Sequence, residues 1–184
     1  MGLPTGTVTF CMTDIEGSTR LVAELGEAYG PVLQRHREIL RVELVREAGV
    51  EVETEGDAFF CVFVSPVAAL RWAVAVQRCL AAQAWPGGRR VGVRIGLHTG
   101  EGTLVGGGYV GMDVHRTARV CAAGHGGQIL LTEAAHALLQ GRWPDRIGDL
   151  PLGAHRLKDL LAPELLHQVT GPGLATRFPP LRSL

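Results

Sequence analysis

Two aspartates stand where short turns can bring carboxylates together. Asp14 follows an alternating run, Val8, Phe10 and Met12 against Thr7, Thr9 and Cys11, which reads as a strand ending just before it. Asp57 lies in Glu55-Gly56-Asp57, the tip of a tight hairpin between the strand-like runs Val50 to Thr54 and Ala58 to Val64. A first strand lying beside that hairpin lets the two carboxylates converge. They then offer the oxygen ligands that Mg²⁺ or Mn²⁺ takes, with room left for water and substrate phosphates. After Asp14, Gly17, Ser18 and Thr19 leave backbone N–H groups at a helix N-terminus, a favourable place for phosphate oxygens. The chemistry implied is a metal–triphosphate site; plain turn and cap residues are the alternative that spacing alone leaves open.

Three more side chains suit that chemistry. His115 and Arg119 stand one helical turn apart, Arg119 fitted to the charge of a transferring phosphoryl group and His115 to a sugar oxygen. A solvated helical face is the alternative. Lys158 is the only lysine among 18 basic side chains, and a compact ammonium binds triphosphate as a point charge, although chance also explains one lysine. His98 and Glu101, in Gly96-Leu97-His98-Thr99-Gly100-Glu101, read as a strand end entering a turn. No Walker lysine motif, H-E-x-x-H or nucleophile elbow is present.

The elements that must position these residues follow from periodicity. Leu33, Leu40 and Leu44 predict a helix over about 31–47, stopped by Gly49. Ser65 as N-cap and Pro66 at the first helical position open another, with Val67, Leu70 and Val74 on one face. Val91, Val93, Ile95 and Leu97 alternate as a strand, 110–123 reads as a helix ended by Gly124, and 128–131 as one more strand. The order predicts an α+β fold: a ferredoxin-like βαββαβ sheet with helices on one face and added strands, over residues 1–170. Gly171-Pro172-Gly173 and Phe178-Pro179-Pro180 mark 171–184 as a Pro/Gly-rich linker or tail.

Composition narrows the partners. With 184 residues one domain is expected, and 18 basic against 18 acidic side chains remove the basic field that phosphate-backbone binding needs. Aromatics, at 5%, are too few for an RNA-stacking face, so no direct nucleic acid binding is expected. No apolar run nears the roughly 20 residues of a membrane span, and the start lacks a basic signal region, so a cytoplasmic protein without membrane contact is expected. Cys11, Cys61, Cys79 and Cys121 are scattered and read as reduced thiols.

Taken together, residues 8–19, Glu55-Gly56-Asp57-Ala58-Phe59, Gly96 to Glu101, Tyr109-Val110-Gly111 and Ala118-Arg119-Val120 resemble the class III nucleotidyl cyclase catalytic domain of actinobacterial type, in the right order over about 5–170. The resemblance implies a homodimer with sites shared across the interface, acting on a nucleoside triphosphate. It implies that Asp14 and Asp57, helped by the Ile15 carbonyl, hold two Mg²⁺ or Mn²⁺ ions, while Arg119 and Lys158 reach the phosphates from the partner. Cyclic AMP is the commonest product of such domains.

Departures from the pattern lie on the base side. Glu53 stands where the adenylate-specific pattern has a lysine, Gly108 where it has an aspartate, and His115 where it has the sugar-binding asparagine. An ionised Glu53 only accepts hydrogen bonds, which complements guanine N1–H and N2–H₂ or uracil N3–H and repels adenine N1. GTP or UTP is therefore expected to compete with ATP; a catalytically weak, nucleotide-binding regulatory domain is the other reading. Alternation predicts that Glu51, Glu53 and Glu55 share one strand face with Asp57.

Overall fold

The structure is a computed structural model and describes residues 2–184. β1 (Thr7–Ile15) runs further than its alternation predicts, so Asp14 is its penultimate residue rather than the first of the turn. Gly17, at a φ of 69° that glycine alone adopts without strain, turns the chain into α1 (Ser18–Leu25), and a single 3₁₀ turn leads to α2 (Tyr29–Arg46). β2 (Val50–Glu55) and β3 (Ala58–Phe63) form the expected hairpin around Gly56 and Asp57. Ser65 caps α3 (Pro66–Ala82), its Oγ accepting the Ala68 N–H at 3.3 Å. There follow β4 (Val93–Glu101), β5 (Thr103–Val105), β6 (Gly108–Val110), α4 (Met112–Ala123), β7 (Ile129–Thr132), α5 (Glu133–Ala137), β8 (Gly148–His155) and β9 (Glu164–Thr170).

The main sheet has the order β2-β3-β1-β4-β7-β9-β8. Its first four strands are the ferredoxin-like unit, with β3 and β4 antiparallel on either side of β1. The additions are β7, parallel to β4, and the β8–β9 hairpin beyond it. Cys11, Phe59, Phe63, Ile95, Leu97 and Leu131 face α2 and α3 on one side, around Trp72, whose indole N–H donates to the Leu40 carbonyl at 3.2 Å. The two helices of the ferredoxin-like unit thus cover one face, as expected. α4 belongs to the addition and packs on the reverse face, close enough that a Cβ on Gly96 would lie 2.5 Å from the Cys121 backbone nitrogen. Beside it Val8, Phe10, Phe60, Val62 and Tyr109 form a second apolar cluster. All four cysteines are free.

Residues 171–184 run back over this body. The carbonyls of an extended Pro-rich segment need donors, and the body supplies them: Arg78 donates to Pro172 at 2.7 Å and His125 Nε2 to Pro180 at 2.9 Å. The backbone N–H of Arg182 reaches the Ala123 carbonyl at 2.9 Å, and that of Leu184 the Arg156 carbonyl at 2.8 Å. No helix among the described residues is long and apolar enough to cross a membrane.

Candidate active site

The reverse face carries a cavity of about 280 Å³ between the end of β1, the β2–β3 hairpin and α4, lined in part by Met12, Asp14, Glu53, Glu55, Tyr109 and Cys121. Asp57 is set over the end of β1 by one bond: its Oδ2 accepts the Ile15 N–H at 3.0 Å. Asp57 is therefore a neighbour of Ile15, the residue that follows Asp14. Asp14 lies opposite Arg94 in the β1–β4 ladder, and Arg94 grips both of its oxygens, Nη2 to Oδ2 at 2.9 Å, while its Nη1 donates to the Ala122 carbonyl at 3.0 Å. The carboxylate keeps 28% of its surface exposed. Two carboxylates and a backbone carbonyl make an all-oxygen donor set that fits Mg²⁺ or Mn²⁺, provided Arg94 yields one oxygen of Asp14. Burial pushes the Cys121 thiol pKa upward, so the cavity floor is an uncharged thiol.

The acidic strand departs from its expected alternation. Glu51 pairs with Cys61 but Glu53 with Phe60, so Val52 is an extra residue and β2 is bulged. The bulge reverses the faces. Glu51 turns towards α2, where Arg41 holds it at 2.7 and 2.8 Å and Thr54 donates to it at 2.6 Å; the guanidinium keeps its carboxyl below the usual range. Glu53 and Glu55 remain on the cavity side. The expectation that all three share one face was wrong, because a period of two does not survive an inserted residue.

The remaining predicted residues stand apart from the cavity. On α4, His115 is exposed, and Arg119 Nη2 donates to Asp159 Oδ2 at 2.5 Å. That pair places Arg119 beside the exposed Lys158, in the β8–β9 connection. Gly108, in β6, has nothing within 4 Å of where a Cβ would stand. None of these four lines the cavity. Gly17, Ser18 and Thr19 open α1, where the Leu21 N–H takes the Gly17 carbonyl at 3.0 Å and the N–H groups of Ser18 and Thr19 precede that first helical bond. Arg20 and Arg90 flank them around a second concavity of about 220 Å³. His98 is buried in β4, its Nδ1 2.8 Å from Thr132 Oγ1, so it belongs to the core.

Two residues escaped sequence reasoning. Arg94 alternates with Val93 and Ile95 as any exposed strand residue does, and only the strand register puts it on Asp14. His36 lies fully buried on α2 with no partner for either ring nitrogen. Desolvation lowers its pKa to about 4 although the Asp57 charge pulls the other way. A histidine among charged helical residues gives no sign of this.

The family model described as the adenylate and guanylate cyclase catalytic domain matches residues 3–151. An uncharacterized protein of Mycobacterium tuberculosis is 35% identical over 182 residues, which are 98% of this chain and 61% of that protein. An adenylate cyclase of Lachancea kluyveri is 36% identical over 154 residues, 70% of this chain and 8% of that protein. The chain thus spans about three fifths of the mycobacterial relative and a small part of the fungal one. An adenylate cyclase from Trypanosoma brucei, solved in its monomeric state, superposes with a TM-score of 0.89 at 28% identity, covering 98% of this chain and 96% of that one. The guanylate cyclase domain of Catenaria anguillulae in complex with GTP superposes at 0.79 and 20% identity, covering 90% and 96%, a likeness of fold. With the motifs, the sheet order and the family model in agreement, this chain belongs to the adenylate and guanylate cyclase catalytic domain family.

Proposed function

We propose that this chain is a metal-dependent nucleotidyl cyclase that works as a homodimer with shared sites. The observation that carries the reading is the Ile15 N–H bond to Asp57, which brings the hairpin carboxylate to the end of β1 beside Asp14. In the reaction the ribose 3′-oxygen bonds to the α-phosphorus, the α–β phosphoanhydride bond breaks and pyrophosphate leaves. Asp14, Asp57 and the Ile15 carbonyl would hold two divalent cations, in a family generally dependent on them, which when bound would supply acidification of the 3′-hydroxyl and neutralisation of triphosphate charge. The N–H groups at Gly17, Ser18 and Thr19 take phosphate oxygens, and Arg119 and Lys158 come from the partner to meet the equatorial charge. His115 donates to the ribose. Leu104, Val105, Val110 and Met112 are exposed apolar residues on the β5–β6 hairpin and the start of α4, a surface suited to a second copy.

Base selection falls to Glu53 on the cavity wall and to the space at Gly108. We propose loose selection, with GTP or UTP competing with ATP. A second reading, a dimerising nucleotide-binding domain with little turnover, is favoured by one observation: Arg94 already holds both oxygens of Asp14. Incubation with Mn²⁺ and each of ATP, GTP, CTP and UTP, with products identified by mass, tests both. A cyclic nucleotide supports the cyclase; nucleotide binding without product supports the second reading and overturns the first.

A further inference from the structure

The concavity beside Arg20 and Arg90 runs into a wider groove of about 790 Å³, walled by the start of α1 and by the C-terminal stretch. Four guanidiniums line it, those of Arg20, Arg90, Arg177 and Arg182, against the single carboxylate of Glu16. Three positive charges stand in excess there, in a chain whose 18 basic and 18 acidic side chains cancel overall. The carboxylate is already answered. Glu16 Oε1 takes Arg182 Nη2 and lies 3.5 Å from His125 Nδ1, and its Oε2 accepts the Gly126 N–H at 2.9 Å.

The other three guanidiniums are uncommitted. Arg20 reaches only Glu24, at 3.8 Å, with its own side chain 84% exposed. Arg90 and Arg177 enter no ion pair or side-chain hydrogen bond among the described residues. An unpaired arginine on a convex surface is simply solvated, but these line one concavity, and the segment that carries Arg177 and Phe178 is pinned at both ends. Gln168 Nε2 donates to the Thr176 carbonyl at 3.2 Å, and His125 Nε2 to the Pro180 carbonyl at 2.9 Å. Folding has thus met the cost of ordering that wall before any ligand arrives. Between the two anchors, half-buried Phe178 lies over Gly127, where a Cβ would come within 3.9 Å of its ring. The groove therefore joins a phosphate-binding chemistry to one aromatic surface.

We propose that this groove binds one diphosphate-bearing anion, its oxygens shared among Arg20, Arg90 and Arg177, with Phe178 as the wall for a base where the anion carries one. A guanidinium fork grips two phosphate oxygens at once, so several free forks along one groove suit linked phosphates better than a single small anion. The volume is that of a site for a nucleotide-sized molecule. The groove shares Gly17 with the proposed phosphate loop, but Arg90, Arg177 and Phe178 line no part of the 280 Å³ cavity, and the inference does not depend on the cyclase reading. A bound anion would tie the start of α1 to the C-terminal stretch.

The test uses the full chain in metal-free buffer, where a metal-dependent triphosphate site stays unloaded. Calorimetric titration with inorganic pyrophosphate should show one anion per chain with a Kd below about 100 μM in dilute salt, weakening as salt is added. Arg90→Gln/Arg177→Gln should weaken it by at least about tenfold, with Tm shifted by less than about 2 °C because neither guanidinium has a bond to lose. ADP identifies the source. Binding at least about threefold tighter than pyrophosphate, with the gain lost in Phe178→Ala, assigns a nucleotide, whereas equal or weaker binding assigns the inorganic anion. No saturable binding of either up to about 1 mM overturns the proposal, as does sulfate binding as tightly as pyrophosphate, the mark of an unselective positive patch. Undiminished binding by the folded double variant overturns it too, and places the anion at the N–H groups of residues 17–19.

Discussion

The carboxylate side of the proposed site is pinned by backbone: Asp14 sits inside a strand paired on both edges, and Asp57 is anchored by the Ile15 N–H at the turn of a hairpin. Arg119 and Lys158 stand on a helix face and a connection, turned from the cavity, with Arg119 engaged by its own Asp159. One half is held by sheet hydrogen bonds at the end of β1, the other lies on the surface away from the cavity. In the proposed reaction the two halves meet by exchange with a second copy, and the half proposed to hold cations at fixed geometry is the one made of sheet.

The largest expected effects come from breaking the sheet-held half. Asp14→Ala and Asp57→Ala should each lower kcat by at least about 10³-fold, since each removes a proposed ligand of the ions on which the charge balance rests. Each also removes one bond, that of Arg94 to Asp14 or of the Ile15 N–H to Asp57, so stability should fall by about 1 to 2 kcal/mol with the fold retained. Near-normal Mn²⁺-dependent turnover in either variant would discard the assigned site. Mixing Asp57→Ala with Arg119→Ala sharpens the contrast: random exchange yields one intact site in half of the dimers, so about a quarter of wild-type activity should return. No recovery, with exchange shown separately, means that the halves are not shared.

His36 tests what supports the sheet-held half. Its folded pKa of about 4 lies below the ordinary 6.5, so protonation favours the unfolded chain. The sign follows: the full contribution to stability is present above about pH 6.5 and is lost as pH falls towards 4, a change on the order of 3 kcal/mol. His36→Leu should flatten the urea-midpoint profile over that window and cost nothing at pH 7, because both ring nitrogens are buried without partners. Parallel profiles for the two proteins would count against a neutral, buried imidazole.

What was legible in the sequence divides along the same line. β1 and the Gly56-Asp57 hairpin follow from alternation and turn chemistry, which are local, and the approach of the hairpin tip to the end of β1 follows from the expected ferredoxin-like strand order. The grip of Arg94 on Asp14 and the isolation of His36 are created by strand register and helix packing, which no spacing encodes. The inserted Val52 hid the opposite fates of Glu51 and Glu53, since an extra residue in a strand leaves no compositional mark. The β5–β6 and β8–β9 hairpins lie in stretches rich in Gly, Pro and Leu where neither period dominates.

Glu53 now bears the base argument alone among the three glutamates of β2, for Glu51 is spoken for by Arg41 and Glu55 is nearer the turn. Opposing an acceptor to adenine N1 costs about 1 to 3 kcal/mol, so Glu53→Lys should move the ratio of kcat/KM for ATP against GTP by roughly 10-fold or more towards ATP. A ratio that the substitution leaves untouched means that Glu53 does not face the base.

The smallest expected effect probes the exposed half. If Arg119 serves a partner's phosphates, its bond to Asp159 must break first, and that pair, with side chains 35% and 61% exposed, is worth at most about 1 kcal/mol. Asp159 sits at a φ of 64°, a left-handed conformation that asparagine tolerates best among side-chain-bearing residues, so Asp159→Asn removes the charge without straining the turn. Tm should shift by no more than about 2 °C, and KM for the triphosphate should fall by about twofold as Arg119 is released. The direction of KM decides the matter, because a bond that merely steadies the surface leaves KM alone, whereas one that positions Arg119 for the partner raises it when lost.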